Sequence, residues 1–209
     1  MSALRYLLPC ALLGLCSACG GLFRSHDATP VVYQLRAPAV GAAPGMVDGT
    51  LVVARPRAHP GLDGDRIVVA LADRRLDAYV GARWSAPLPR LVEALLVDGF
   101  RSSGGWRAVV TEASAFPGQY LLQTEIGDFS ADYSAGDGPP IARVTLRAEL
   151  GVFSGRRLVS TFEASAAVRA AADRQRDVAA AFEAAYGQAA SQLIASANGA
   201  ALAAPAPVR

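Results

Sequence analysis

The chain has 209 residues, 52% hydrophobic and 18% charged, and its 20 basic side chains against 18 acidic ones leave a formal charge of +2. Every basic residue is an arginine, which excludes a P-loop with its phosphate-gripping lysine, and so even a balance gives nucleic acid no electrostatic footprint. The two histidines, His26 and His59, both sit in loop-like sequence, so histidine-based metal sites and catalytic triads have almost nothing to work with.

The three cysteines, Cys10, Cys16 and Cys19, all lie at the N-terminus. A disulfide framework or a zinc site needs ligands that recur across a fold, so this distribution points to processing instead. Arg5 supplies a thin positive start, Leu7 to Leu15 is apolar but too short to span a bilayer as a helix, and small residues follow. Leu15-Cys16-Ser17-Ala18-Cys19 fits a lipoprotein cleavage site with Ser17 and Ala18 at −2 and −1, although Cys16 occupies the −3 position where an aliphatic residue is usual. The expectation is a signal peptide over residues 1–18 and lipidation of Cys19 with diacylglycerol and an N-acyl chain; no other cofactor is expected. Removing residues 1–18 takes away one arginine and no acid, leaving +1. Several acyl chains at ~0.8 kcal/mol per buried CH₂ make a lasting anchor. Gly20 follows the cysteine, where aspartate would retain a bacterial lipoprotein in the inner membrane, so the outer membrane is expected. Residues 19–31 show no periodicity and read as a lipidated tether reaching at most ~40 Å.

Residues 32–200 have the size of a single domain. VVYQL (31–35), TLVVAR (50–55) and RIVVAL (66–71) are β-branched runs bounded by turn residues, and RLDAYV (75–80) is a weaker fourth strand. Ser85 is expected to cap a helix whose first turn holds Pro87 and Pro89. Leu88, Leu91, Val92, Leu95, Leu96 and Phe100 then form one apolar stripe, closed by Ser102-Ser103-Gly104. Strands follow at 106–111 and 119–129. Residues 141–150 and 158–168 alternate apolar and polar side chains, and Phe153-Ser154-Gly155 joins them. A three-residue loop with Gly155 in the left-handed region would pair Leu150 with Leu158 and Leu146 with Phe162, with Arg147 diagonal to Glu163. In the final helix Asp173 is the expected cap, Val178, Phe182, Tyr186, Ala189 and Leu193 line one side, and Asn198-Gly199 ends it. Residues 201–209 read as a disordered tail. The order of elements gives an α+β class: a largely antiparallel mixed sheet with two main helices packed on one face.

Chemical motifs are scarce. Asp63-x-Asp65 lacks the further ligands of a calcium loop, and no G-x-S-x-G elbow occurs. Glu125 and Glu149 are the only carboxylate pair on neighbouring strands, and they read as solvated charges of a sheet face. No enzyme is expected.

Tyr33-Gln34-Leu35-x-Ala37-Pro38, the strand containing Tyr79, Arg83-Trp84-Ser85-Ala86-Pro87 before an apolar helix, Tyr120-Leu121-Leu122 leading to Ile126-x-x-Phe129, and the Ala-rich last helix come in a distinctive order. In this order the chain resembles the ABC-type transport auxiliary lipoprotein family (PqiC/YmbA-like) over about residues 32–197. Ala78 precedes Tyr79 where members often carry a pair of tyrosines. The resemblance implies a non-catalytic partner of an MCE-domain periplasmic protein and an ABC permease/ATPase complex. It implies a place on the periplasmic side of the outer membrane and a role in moving lipids between the two membranes; homo-oligomers stay open. Tyr79, Arg83 and Trp84 have two readings. Trp84 packs at the helix start while Arg83 pairs with a carboxylate, or the three anchor a partner, being residue types that carry hot spots. A reading of another class is a free-standing envelope-assembly or lipid-binding lipoprotein, which needs an apolar cavity between helix and sheet.

Overall fold

The computed structural model describes residues 29–134, 136 and 138–205. Cys19, the signal segment and most of the tether lie outside them, as do residues 206–209 of the tail. The strands are β1 (Val31–Tyr33), β2 (Val47–Val53), β3 (Arg57–Ala58), β4 (Arg66–Ala70), β5 (Leu76–Trp84), β6 (Trp106–Thr111), β7 (Tyr120–Asp132), β8 (Ile141–Val152) and β9 (Arg157–Arg169). Two helices complete the domain, α1 (Leu88–Ser103) after β5 and α2 (Gln175–Ala203) after β9. Among the described residues, no helix is long and apolar enough to cross a membrane.

Strand β7 is the axis of the sheet. One of its edges takes β2, β3 and β4 in succession, all parallel to it, with Leu51 opposite Tyr120, Arg57 opposite Glu125 and Val68 opposite Ser130. Its other edge takes β8 antiparallel from Tyr120–Val152 to Asp132–Ile141, and β9 continues antiparallel beside β8. Outside β2 lies β6, parallel; outside β4 lie antiparallel β5 and then β1, parallel to β5. The class is the expected α+β with a mixed sheet. The long β7–β8–β9 hairpins and the β4–β5 pair supply its antiparallel part, while β2, β3 and β4 join β7 in parallel. A bulge at Gly127 resets the alternation of β7, so Tyr120, Leu122 and Ile126 point inward before it and Phe129 and Ala131 after it.

Helix α1 buries the whole expected stripe, Leu88 to Phe100. Ser85 does not cap it. The N-cap is Pro87, without a side-chain bond, and the Leu88 N–H donates to the Gly64 carbonyl at 2.9 Å. The β3–β4 loop thus satisfies a donor that a capping side chain would otherwise take. At the other end Gly104 closes the helix at φ 65°. A Cβ there would meet nothing within 4 Å, so the cost of a side chain is backbone strain alone. Gly104→Ala is expected to lower stability by about 1 kcal/mol, read from the urea midpoint at unchanged slope.

Helix α2 lies on β8 and β9 and crosses α1. The crossing is close because Gly99 has no side chain: a Cβ would stand 2.6 Å from Ile194 Cδ1. All five expected inward residues of α2 are buried, with alanines between them that let the helix sit near the sheet. Its ends differ from expectation. Arg174, not Asp173, is the N-cap, because Asp173 accepts a hydrogen bond from Tyr133 instead. Asn198 does not stop the helix, which runs on through Ala201–Ala203, residues expected in the tail. Asn198 is buried, accepts from Trp106 Nε1 at 2.7 Å and donates to Ser103 Oγ at 3.2 Å.

The β8–β9 register is slipped by two residues from expectation. Leu150 faces Ser160, Leu146 faces Ala164, and Arg147 lies directly opposite Glu163. A single 3₁₀ turn at Ser154–Arg156, with Gly155 at φ 71° and Arg156 at φ 48°, lengthens the connection, and a bulge at Leu150/Gly151 absorbs one more residue. A two-residue slip preserves parity from Ser160 onward, but before the bulge Leu158 falls opposite Gly151 rather than Leu150 and is turned to the outer face, 56% exposed.

Candidate interaction surfaces

Tyr79, Arg83 and Trp84 lie on β5, but the structure sends them to different environments. Trp84 is 1% exposed; its ring meets Phe129 and Phe182 edge-on at centroid distances of 5.8 and 5.3 Å, and those two rings stack on each other at 5.1 Å. It is a core residue with no surface to offer a partner, so the anchor reading does not hold for it. Arg83 Nη1 stands 3.5 Å from Asp65 Oδ2 in an exposed pair, which is worth little by itself. Both placements match the structural reading of the motif.

Tyr79 is half-buried and belongs to a small polar chain that the sequence did not reveal. Tyr133 donates to Asp173 Oδ1 at 2.5 Å, which uses its only proton, so Tyr79 donates to Tyr133 across 2.6 Å. Burial pushes both phenols above their ordinary pKa, and the Asp173 bond raises Tyr133 further. They stay neutral hydrogen-bonding groups at physiological pH. Neighbouring Asp132 ends β7, accepting from the Ser134 N–H at 2.8 Å and from Arg143 Nε at 2.6 Å. Hydrogen bonding by Ser134, and then by Arg143, holds its carboxyl down at about 2. A lowered pKa stabilises the fold above the ordinary aspartate value, and that contribution is lost as pH falls from about 4 to 2. Asp132→Asn is therefore expected to be less stable at pH 7 and to show a shallower loss across that window, measured by denaturant titrations at each pH.

At the opposite end of β7 the outer sheet face, away from the helices, opens into an apolar cup of about 580 Å³. Leu121, Val152, Phe153 and Leu158 line it, with Arg156, Arg157, Gln123 and Glu149 at its margin. Phe116, 76% exposed, shares an adjoining depression with Phe153 and Val52. Large apolar side chains gathered in one exposed place mark an interaction surface more than scattered ones do. The space between helices and sheet, by contrast, is filled by one continuous core of Leu, Val, Ile, Phe, Trp and Tyr side chains. Phe116 and Phe153 were missed in the sequence because the β6–β7 loop and the β8–β9 turn meet only through the sheet.

Further along the outer face, Arg147 bridges Glu163 at 2.8 Å and Glu125 at 3.4 Å, while His59 Nε2 lies 3.5 Å from Glu125. Glu149 sits opposite Gln123 at the margin of the cup. The carboxylate pair Glu125 and Glu149 thus divides between an ion-pair ladder and the cup margin. Among the described residues, no three His, Cys, Asp or Glu side chains are placed to hold a metal ion.

A search of curated proteins gives no match. Among solved structures, protein XCC0632 from Xanthomonas campestris superposes with a TM-score of 0.76 at 28% identity, covering 82% of this chain and 97% of its own. The hypothetical protein CT253 from Chlamydia trachomatis gives a TM-score of 0.54 at 10% identity over 75% of this chain and 99% of its own, a likeness of fold alone. The family model described as ABC-type transport auxiliary lipoprotein component matches residues 33–194, from β1 into α2. The chain belongs to the ABC-type transport auxiliary lipoprotein family.

Proposed function

We propose that this chain is a non-catalytic lipoprotein on the periplasmic side of the outer membrane, anchored through acylated Cys19. In this reading it is the auxiliary component of an MCE-type ABC system that moves lipids between the inner and outer membranes. The observation that carries the reading is the family match, which covers nearly the whole folded domain. The lipoprotein cleavage pattern before Cys19 and Gly20 after it support the anchor and its membrane. The outer face supports a docking role: Glu125 is tied up with Arg147, whereas the cup sets Phe153 and aliphatic side chains beside Arg156 and Arg157, an apolar centre with arginines at its margin.

The test is co-purification from detergent-solubilised membranes with a tagged chain, alongside a Cys19→Ala control. Wild type should fractionate with the outer membrane and enrich an MCE-domain protein with its permease and ATPase. Cys19→Ala should appear in the soluble periplasmic fraction. Enrichment of no MCE-type partner overturns the assignment.

A further inference from the structure

The chain enters the domain at one particular corner. Strand β1 runs parallel to β5 with Val31 opposite Ala82, so Val31 begins the strand at the level next to Gly81 and Val80. This corner belongs to the C-terminal end of β7, where β4 sets Ala70 beside Asp132 and β5 sets Leu76 beside Ala70. Four aliphatic side chains are exposed there. Val80 is 91% and Leu76 64% exposed, and Val31 and Val32 are each about half exposed. The pairing of β4 and β5 breaks between Arg66 and Val68, and Gly81 at φ 70° turns the backbone of the broken stretch. Gln175 Nε2 donates to the Val80 carbonyl at 2.9 Å, so the outward position of Val80 is tied to α2. Arg75 nearby is paired with Asp73, and Asp77, the exposed carboxylate next to Leu76, alternates to the other side of β5 from Leu76.

We propose that this corner rests on the bilayer that carries the acyl chains of Cys19, with Val80 and Leu76 in the lipid interface. It is a second contact that fixes the orientation of the domain and turns the cup away from the membrane. The proposal rests on the lipidation of Cys19. Cys19 and Val31 are 12 positions apart in the sequence, and a flexible linker of that length spans about 20 Å on average. The level of Ser130, beside which the corner lies, is roughly 30 Å along β7 from the level of Tyr120 at the cup. The corner is therefore within the relaxed reach of the tether, and the cup reaches the surface only if the tether is stretched along the domain. Exposed aliphatic side chains suit the boundary of the acyl region, where burial of apolar area supplies the attraction.

The test uses the acylated, processed full chain in vesicles of phosphatidylethanolamine and phosphatidylglycerol. A nitroxide is attached at Val80→Cys or, separately, at Phe153→Cys, since Cys19 is the one cysteine left after processing and its sulfur is blocked. Both sites are exposed, so neither label should disturb folding. For Val80 the collision rate with oxygen should exceed that with a water-soluble nickel chelate several-fold, and for Phe153 the order should reverse. A water-exposed Val80 label on protein that floats with the vesicles overturns the proposal while leaving the anchor intact. A label at Val80 shielded from both reagents also overturns it, since a second copy or another protein then covers the corner. Protein that fails to float overturns the lipidation reading and this proposal together.

Discussion

Trp84→Ala is expected to destabilise the domain by about 3–5 kcal/mol, the range for deleting a large aromatic side chain from a packed core. The indole is closed in by Phe129 on β7 and Phe182 on α2, and it therefore joins the β5 edge, the central strand and the last helix in one aromatic cluster. The edge-on geometry puts the positive rim of one ring system against the negative face of another, which adds to the area buried. Truncation leaves a cavity bounded by three elements that cannot all move inward. Against a total stability of typically 5–15 kcal/mol, the loss is large. Equilibrium urea unfolding checks it, with far-UV circular dichroism of the purified variant. A variant that keeps full stability but loses its partner in co-purification would falsify the core assignment and restore Trp84 as a contact residue.

Asn198→Ala should cost about 1–3 kcal/mol, the penalty for stranding buried hydrogen-bonding groups. Asn198 joins the Trp106 indole N–H on β6 to Ser103 Oγ at the end of α1, all three being buried. Ser103 retains its bond to the Phe100 carbonyl when Asn198 is shortened, so the indole N–H bears most of the loss. Gly105 packs against this side chain: a Cβ there would stand 2.8 Å from Asn198 Cγ. A double-mutant cycle with Trp106→Phe isolates the bond. With the donor removed, the added cost of Asn198→Ala should shrink; an unchanged cost would show that Asn198 acts through packing alone.

These two residues show what the sequence made legible and what it hid. The α1 stripe from Leu88 to Phe100, the inward line of α2 and the alternation of β8 and β9 are local periodicities, and each was readable because burial repeats at the period of its element. Asn198-Gly199 reads locally as a helix stop, but its partner Trp106 is 92 residues away, and a long-range bond overrode the propensity. The cap assignments failed in the same way. Ser85 was displaced by the Gly64 carbonyl, and Asp173 was drawn off to accept from the Tyr133 hydroxyl, groups brought there by tertiary structure. Strand β3 has two residues and carries no period to detect. The parallel placement of β2, β3 and β4 along one edge of β7 leaves no local trace either. Among the candidate surface residues, the Arg-Trp motif was visible as chemistry. Whether the indole faced core or solvent depended on Phe129 and Phe182, which only the fold brings together.

The central claim is that the domain is held at one end by its membrane and offers the other to a transport partner. The most direct test is photo-crosslinking in intact envelopes, with a photoreactive amino acid replacing Phe153 at the cup in the otherwise native, acylated chain. The account predicts an ultraviolet-dependent adduct that mass spectrometry identifies as an MCE-domain protein, with no such adduct when the same group replaces Val80. An adduct to that partner from Val80 and not from Phe153, or adducts from Phe153 to unrelated envelope proteins only, would contradict it.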